Sequence, residues 1–342
     1  MSATRRHTLT LLASGAALSA CGAKPNRQPA KRGLLDVQRL NTRFPALMAK
    51  ASPGRLNFGV LSLNDDHVWS SDSEGRYPLG DLSMLPIAAA ALAEVDAGRL
   101  KLGEPIAIRD VDLSPAPSMV NSTFRGPTTL PAVDLIALAI QQGDNTATDV
   151  IMSHIGGPGA VSGWLQSKDV QGLRVDRYAR EVATAMSGMA SFRSEWRTTA
   201  EFDEARALIP PATREAAIQT YLRDPRDTTT LPAILGFLDR LFDGRLLSPV
   251  STRLLLGLMT RAATPSDGLA AALPPGAVLA RKTGNSATDL GLTPVANEVG
   301  IVTLGGGQKL AIAAFLTGST ATPAERAGLI AEAGKLVFSA FG

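Results

Sequence analysis

The chain has 342 residues, of which 45% are hydrophobic and 19% charged, so it suits one large or two modest globular domains rather than a mostly disordered protein. Its formal net charge is only +3, and loss of Arg5 and Arg6 with a leader lowers it to +1, so no nucleic-acid partner is expected. Three histidines without ligand spacing to cysteine or carboxylates argue against a metal, and no other cofactor is expected.

Residues 1–21 are predicted to be an export signal. Arg5 and Arg6 precede an apolar run at 9–20 that is too short to span a bilayer and matches a secretory leader. The surrounding TRRHTL resembles a twin-arginine signal, whose pathway exports folded proteins. The protein is therefore expected in the periplasm or elsewhere in the cell envelope.

The leader ends in Leu-Ser-Ala-Cys, which resembles a bacterial lipobox with Cys21 as the lipidated residue. Cys21 is the only cysteine, so no disulfide can form within the chain and the lipoprotein interpretation is favoured over an ordinary secretory signal. Residues 22–33 would then tether the folded domain to a membrane through the lipid anchor.

Hydrophobic periodicity and turn residues predict the later elements in chain order. A helix at 34–51 precedes strands at 55–64 and 67–70, and an apolar helix follows within 76–98. It is expected to start near Asp81, with Pro86 causing either a local kink or a later start. Further helices are predicted at 128–142, 145–154, 159–167, 228–242 and 248–262, strands at 277–283, 297–304 and 309–317, and a last helix at 323–341. Residues 179–226 are polar and arginine-rich, and we expect them to be irregular apart from helical signals at 200–208.

This order predicts a three-layer α/β (α+β) fold. Strands from both ends of the chain must meet in one mostly antiparallel sheet flanked by helices. The middle of the chain then forms an inserted all-helical subdomain at about 79–270, within a folded domain at 34–342.

Six landmarks in the same order resemble the class A β-lactamase and penicillin-recognising serine hydrolase family. They are YP at 77–78 with ALAEVDAG at 91–98, GDNTA at 143–147 with IGGP at 155–158, RVDRY at 174–178, RDTTTLPA at 226–233, KTG at 282–284, and LTGS at 316–319. The resemblance implies the family's fold over nearly the whole chain after the leader. It also implies a pocket lined by the family's catalytic motifs, S-x-x-K, S-D-N, K-T-G and a glutamate that acts through water.

The residues at the catalytic positions depart from this pattern. The nucleophilic serine and the lysine of S-x-x-K fall on Asp81 and Met84, and no S-x-x-K occurs anywhere after the leader. Ser83 is not expected to replace the serine. Two residues along an α-helix correspond to a rotation of about 200° around the helix axis, so its side chain would point to the face away from Asp81. Ser167-Lys168 lacks the spacing.

Two further catalytic groups are also replaced. The second serine falls on Gly143 and the glutamate on Ala179, with Glu181 two positions away and not an evident substitute. Among the pocket residues only Asn145 and Lys282-Thr283-Gly284 remain.

Three functional interpretations stay open. The chain is a degenerate family member with a binding, sensing or structural role in the envelope, a hydrolase rebuilt around Asp81 or an inserted residue, or an active β-lactamase whose motif has been misaligned. A small-molecule or peptidoglycan-type ligand, or an envelope protein, would be the partner of a degenerate member, which we expect to be a monomer.

The retained residues also allow structural roles. Asp144 and Asn145 can cap the following helix, and Lys282 can either neutralise Asp81 or bind a ligand. Arg177 and Asp227 match the ion pair that closes the neck of the family's Ω-loop.

The segment between these two residues, at about 179–226, is longer than the usual family loop. It is a lid, a plain insertion, or a partner surface for which Arg193, Trp196 and Arg197 would be anchors.

Overall fold

A five-stranded antiparallel sheet forms the centre of the protein. The computed structural model describes residues 35–65, 67–262 and 267–341, so the leader, Cys21 and the tether lie outside the described residues. The strands are β1 (Arg55–Ser62), β2 (Val68–Ser70), β3 (Tyr77–Pro78), β4 (Pro105–Ile108), β5 (Thr128–Pro131), β6 (Thr228–Thr229), β7 (Val278–Asn285), β8 (Thr293–Thr303) and β9 (Lys309–Ser319). The central sheet has the order β2-β1-β9-β8-β7, and β3 with β6 and β4 with β5 form two small sheets.

Thirteen α-helices are found within the described ranges. They are α1 (Val37–Lys50), α2 (Met84–Asp96), α3 (Met119–Thr123), α4 (Ala132–Ala137), α5 (Asn145–His154), α6 (Gly157–Ser167), α7 (Ala179–Met186), α8 (Thr199–Ala207), α9 (Pro211–Arg223), α10 (Leu231–Phe242), α11 (Pro249–Thr260), α12 (Leu269–Ala272) and α13 (Pro323–Phe338). In these ranges no helix combines the length and apolar character needed to cross a membrane.

Strand β9 shows why the fold has three layers. Leu310, Ile312 and Leu316 pack with the terminal helices, whereas Ala313 and Phe315 pack with the helices of the inserted subdomain. Successive side chains of a strand point to opposite faces, so a strand that is apolar at every position must be covered on both. The predicted α/β fold with strands from both chain ends in one sheet is confirmed, since β1 pairs along its full length with β9.

The turn that carries Asp81 differs from the predicted helix start. Gly80–Ser83 form a 3-10 turn, and the α-helix begins at Met84. Pro86 is then the third helical residue, where its missing N–H has no intrahelical partner to lose. The later start that Pro86 allowed is therefore the observed one.

Two other predictions were wrong. Residues 128–142 are not one helix, because Thr128–Pro131 pair with Pro105–Ile108 and the chain then forms α4 and a π-helical turn at Leu138–Gln142. The helical signal at 200–208 is confirmed by α8, but the rest of the segment at 179–226 is not irregular, because it also contains α7 and α9. Their exposed, polar faces hide the periodicity, but Thr198 and Glu201 form a capping box at the start of α8.

Candidate functional site

A cavity of about 500 Å³ lies between the Gly80–Ser83 turn, β7 and the helices of the 179–226 segment. Its wall contains seven of the family pocket positions identified in the sequence: Asp81, Met84, Gly143, Asn145, Ala179, Lys282 and Thr283. The fold thus brings together residues from four separate segments of the chain.

Gly284, the eighth position, fixes the turn rather than lining the cavity. A Cβ at Gly284 would lie 2.4 Å from Cγ of Leu82 and 2.7 Å from the carbonyl oxygen of Leu79. Only glycine lets β7 approach the turn this closely. This contact holds Asp81 beside the strand that carries Lys282.

Asp81, to which the sequence resemblance assigns the position of the family nucleophile, is half-buried. Burial raises the pKa of Asp81 to about 6, although Lys282 and the backbone N–H of Asn285, which donates to the carboxylate, both lower it. The loss of hydration outweighs these two favourable interactions. At neutral pH the carboxylate of Asp81 is therefore mostly ionised, and the lost hydration of this charge costs free energy.

Lys282 is the matching cation, with only 3% of its surface exposed. Its Nζ donates a hydrogen bond to the carbonyl oxygen of Thr283 at 3.1 Å. Burial lowers the pKa of Lys282, and the charge of Asp81 opposes that shift. Among the described residues no hydrogen bond or direct ion pair joins Lys282 to Asp81, so the two groups influence each other through their charges without direct contact.

Gly143 and Asn145 also border the cavity. Gly143 has a left-handed backbone (φ 65°), and a Cβ there would lie 3.9 Å from Nζ of Lys282. Asn145 donates from Nδ2 to the carbonyl oxygen of Pro115 at 3.0 Å. The helix cap is provided by Asp144 instead, whose Oδ1 accepts from the N–H of Ala147 at 2.8 Å.

The two positions expected to hold bases carry none. Met84 is buried and apolar, with 1% exposed surface. Ala179 begins α7, and its N–H donates to Oδ1 of Asp149 at 2.7 Å. Glu181 is not part of the cavity wall; its Oε2 accepts from the N–H of Tyr178 at 2.8 Å and caps the same helix.

Ser83 also belongs to the wall of this cavity. Its side chain was expected to point away from that of Asp81 because the sequence predicts an α-helix here, in which residues two apart differ by about 160° around the axis. The segment is a 3-10 turn, in which they differ by about 120°, so the premise of that expectation does not hold.

The neck of the 179–226 segment is closed by a buried ion pair. Nε of Arg177 lies 2.6 Å from Oδ2 of Asp227, and Asp224 approaches the same guanidinium at 3.3 Å. Oδ1 of Asp227 also accepts the backbone N–H groups of Asp176 and Arg177 at 2.7 and 3.0 Å. Both Arg177 and Asp227 reach the cavity wall.

The inserted helices cover the apolar side of the cavity, which the sequence did not predict in detail. Their contribution is Val182 and Met186 of α7, Phe202 of α8, and Ile218 and Tyr221 of α9. The one available signal was the spacing of Val182 and Met186, which lie one helical turn apart. Of the three roles considered, this position favours a lid.

An ion pair fastens this cover to the sheet. Nη1 of Arg214, on α9, lies 2.5 Å from Oδ1 of Asp289, in the loop between β7 and β8. Both side chains are largely buried, at 14% and 11% exposure. Nothing in the local sequence of either residue indicated this contact, because they are far apart in the chain.

Tyr221 is part of the cavity wall, and its hydroxyl group is buried. The hydroxyl lies near the N–H of Gly80 but makes no hydrogen bond of ordinary geometry with any described residue. Burial, followed by the charges of Asp227 and Asp81, raises the pKa of Tyr221 far above its usual range. The hydroxyl therefore stays neutral.

The proposed partner anchors lie elsewhere. Arg193 stacks its guanidinium 5.2 Å from the ring of Trp196, and both border a second, more open depression on the outside of the insertion. Arg197 instead contacts the ring of Phe124 at 5.9 Å. The three residues do not form one surface.

Metal ligation finds no support in the described ranges. No group of three or more His, Cys, Asp or Glu side chains there is arranged to hold a metal ion. His67 and His154 each approach a single carboxylate, that of Asp65 at 3.5 Å and that of Glu104 at 3.4 Å.

Comparison with known proteins agrees with this geometry. The profile of Beta-lactamase2, the beta-lactamase enzyme family, matches residues 39–341. Beta-lactamase VEB-1 of Pseudomonas aeruginosa is 23% identical over 85% of this chain and 86% of its own length, and Beta-lactamase CTX-M-97 of Escherichia coli is 25% identical over 86% and 87%. The crystal structure of a beta-lactamase from Chitinophaga pinensis superposes with a TM-score of 0.71 at 25% identity, covering 88% of this chain and 99% of that one.

Proposed function

This chain belongs to the beta-lactamase enzyme family, and we propose that within it the protein is a catalytically degenerate member that binds a small ligand without hydrolysing it. The observation that carries the proposal is a half-buried carboxylate, Asp81, in the same cavity wall as Lys282, where the family resemblance assigns the nucleophilic serine. A serine acylates because an adjacent base removes its proton as it attacks. A carboxylate that attacked a lactam would instead form a reactive mixed anhydride.

The groups that would assist such an attack are also missing from the wall. Met84 offers no basic atom, and Ala179 has no carboxylate to activate water. Gly143 has no hydroxyl to carry a proton to the leaving nitrogen. Four replacements in three separate segments, all around one cavity, support loss of the reaction rather than a shift of one motif.

A second candidate function is hydrolysis with Asp81 as a general base. The observation that favours it is the pKa of Asp81, raised by burial to about 6, because a base works best when its pKa lies near the working pH. In this candidate Asp81 would take a proton from a water molecule whose oxygen attacks the amide carbonyl carbon, and Lys282 would stabilise the developing oxyanion. As the C–N bond breaks, the protonated Asp81 would return the proton to the leaving nitrogen.

Acylation is the first test. We expect the intact mass of the protein to stay unchanged after incubation with excess benzylpenicillin. A mass increase equal to one penicillin, on any residue, would contradict the degenerate function, and peptide mapping would show whether Asp81, Ser83 or another side chain carries it. Ser83 is the serine to examine first because it belongs to the cavity wall and lies two residues from Asp81.

The proposal also includes a location. The protein is exported through its twin-arginine-like leader and held at a membrane by lipid on Cys21, with the cavity serving a small-molecule or peptidoglycan-type ligand. A small molecule is favoured over an envelope protein as partner because the site is concave.

We expect Cys21→Ala to move the protein from the membrane fraction to the soluble fraction; a variant that stays in the membrane fraction would rule out this anchor.

A further inference from the structure

We propose that the ligand of this cavity is an uncharged amphipathic amide, with its amide group between Asp81 and Lys282 and its apolar part under the inserted helices. This inference rests on the proposed function, because it assumes that the cavity binds a ligand. It adds the chemical class of that ligand.

The charges of the wall balance one another. Four aspartates reach the cavity, and three of them are paired with arginines: Asp227 with Arg177, Asp203 with Arg206, and Asp289 with Arg214. Only Asp81 and Lys282 have no direct ion-pair partner among the described cavity residues, and their charges are opposite. A ligand with a net charge of either sign would gain from one of these two groups and be repelled by the other.

The hydrogen-bonding capacity of this pair fits an amide. The carboxylate of Asp81 accepts one backbone N–H, from Asn285, and has further lone pairs free. Nζ of Lys282 uses one of its three donors on the carbonyl oxygen of Thr283. An amide group presents an N–H to the acceptor and a C=O to the donor without bringing a net charge.

The remaining wall fits an apolar substituent. Val182 and Met186 extend from α7, Phe202 from α8 and Ile218 from α9, all toward the same cavity. The ring of Phe202 lies 6.5 Å from that of Phe192, which limits its freedom to move. The Arg214–Asp289 ion pair holds α9 against the sheet, so this apolar cover is present before a ligand arrives.

Three matched probes test the class by isothermal titration calorimetry on the purified full chain at pH 7.5. N-hexanoylglycinamide is neutral and has an apolar arm, N-hexanoylglycine has the same arm and a negative charge, and N-acetylglycinamide lacks the arm. We expect the first to bind at least 10-fold more tightly than either of the others. Equal or tighter binding of the anionic probe, or no binding of the neutral one, would overturn the inference.

Charge-changing variants sharpen the test. Asp81→Asn leaves the cavity with one uncompensated positive charge and should make the anionic probe the tighter ligand. Lys282→Met leaves one negative charge and should weaken the anionic probe further. A preference that stays unchanged in both folded variants would contradict the argument from charge balance.

Two variants test whether the apolar side chains of the inserted helices bind the apolar part of the ligand. Met186→Gln keeps the side-chain length but makes it polar, and should weaken the neutral probe about 10-fold or more. Leu208→Gln changes an 84% exposed residue of the same insertion, outside this cavity, and should leave affinity unchanged. Loss of affinity in Leu208→Gln as large as in Met186→Gln would mean that the cover does not hold the arm.

Failure of this inference can be told apart from failure of the proposed function. Mass spectrometry of the neutral probe after the titration detects any cleavage of its amide bonds. A probe that binds and is cleaved supports the ligand class and contradicts the non-hydrolytic function. A probe that does not bind, with a protein that penicillin does not acylate, contradicts the ligand class alone.

Discussion

Replacing Asp227 with asparagine should lower the free energy of unfolding by about 3–5 kcal/mol, the usual cost of removing one partner of a buried ion pair. Asp227 accepts Nε of Arg177 at 2.6 Å and two backbone N–H groups, and both side chains are at least 92% buried, with 8% and 5% exposed. Asparagine keeps the shape but leaves the guanidinium without its main counter-charge. Equilibrium urea unfolding measures the change.

The backbone cannot be the cause of this loss. Asp227 has φ 50°, a left-handed conformation that asparagine adopts at least as readily as aspartate. Glu94→Gln provides the matched control, because it removes the carboxylate of a surface ion pair with Arg99 at 2.6 Å and should cost less than about 1 kcal/mol. Equal losses in the two variants would show that the neck pair does not hold the insertion in place.

Removing both charges of the cavity should have the opposite effect. We expect Asp81→Asn combined with Lys282→Met to raise the free energy of unfolding by about 1–4 kcal/mol at pH 7.5, since each group loses hydration that the other does not restore by direct contact. Lys282→Met alone should stabilise less, because it leaves the Asp81 carboxylate without its counter-charge. A double variant less stable than the wild type would show that the two charges stabilise the fold.

The pH dependence of Asp81→Asn checks the same pair independently. The pKa of Asp81 is raised from 3.8 to about 6, so its protonated form stabilises the folded state below pH 4 and that contribution is lost as pH rises through 6. The stability gained by Asp81→Asn over wild type should therefore be at most about 2 kcal/mol larger at pH 7.5 than at pH 4.5. Other titrating carboxylates cancel in this difference. A difference that is independent of pH would contradict the raised pKa.

Much of the fold was predictable because its signals are local. The strands that form the sheet carry continuous apolar runs, and the landmarks of the family follow one another in order. In the insertion, α8 was indicated by the helical signal at 200–208, whereas α7 and α9 were missed because they bury only one and two residues and so have little hydrophobic stripe. The strand at Thr128–Pro131 was missed because its partner at Pro105–Ile108 lies earlier in the chain and does not pattern as a hairpin.

The candidate site, like the fold, was predictable where its signals are local and not where it depends on contacts between distant residues. Its motif positions were identified from the sequence, and seven of them line one cavity. What the sequence could not give depends on distant contacts, including the pairing of Arg214 with Asp289 and the position of Tyr221 near Asp81. The 3-10 turn that carries Ser83 was not predicted either, because Gly284, which packs against Leu79 and Leu82, lies far away in the chain.

Nitrocefin turnover tests the central claim most directly. Wild-type protein, Asp81→Asn and Beta-lactamase VEB-1 as the positive control would be compared at equal concentration and pH 7.5. We predict that hydrolysis with the wild-type protein does not exceed the rate in buffer and is the same for Asp81→Asn, while the control hydrolyses nitrocefin rapidly. Turnover by the wild type that disappears in Asp81→Asn would contradict the account and establish a rebuilt hydrolase.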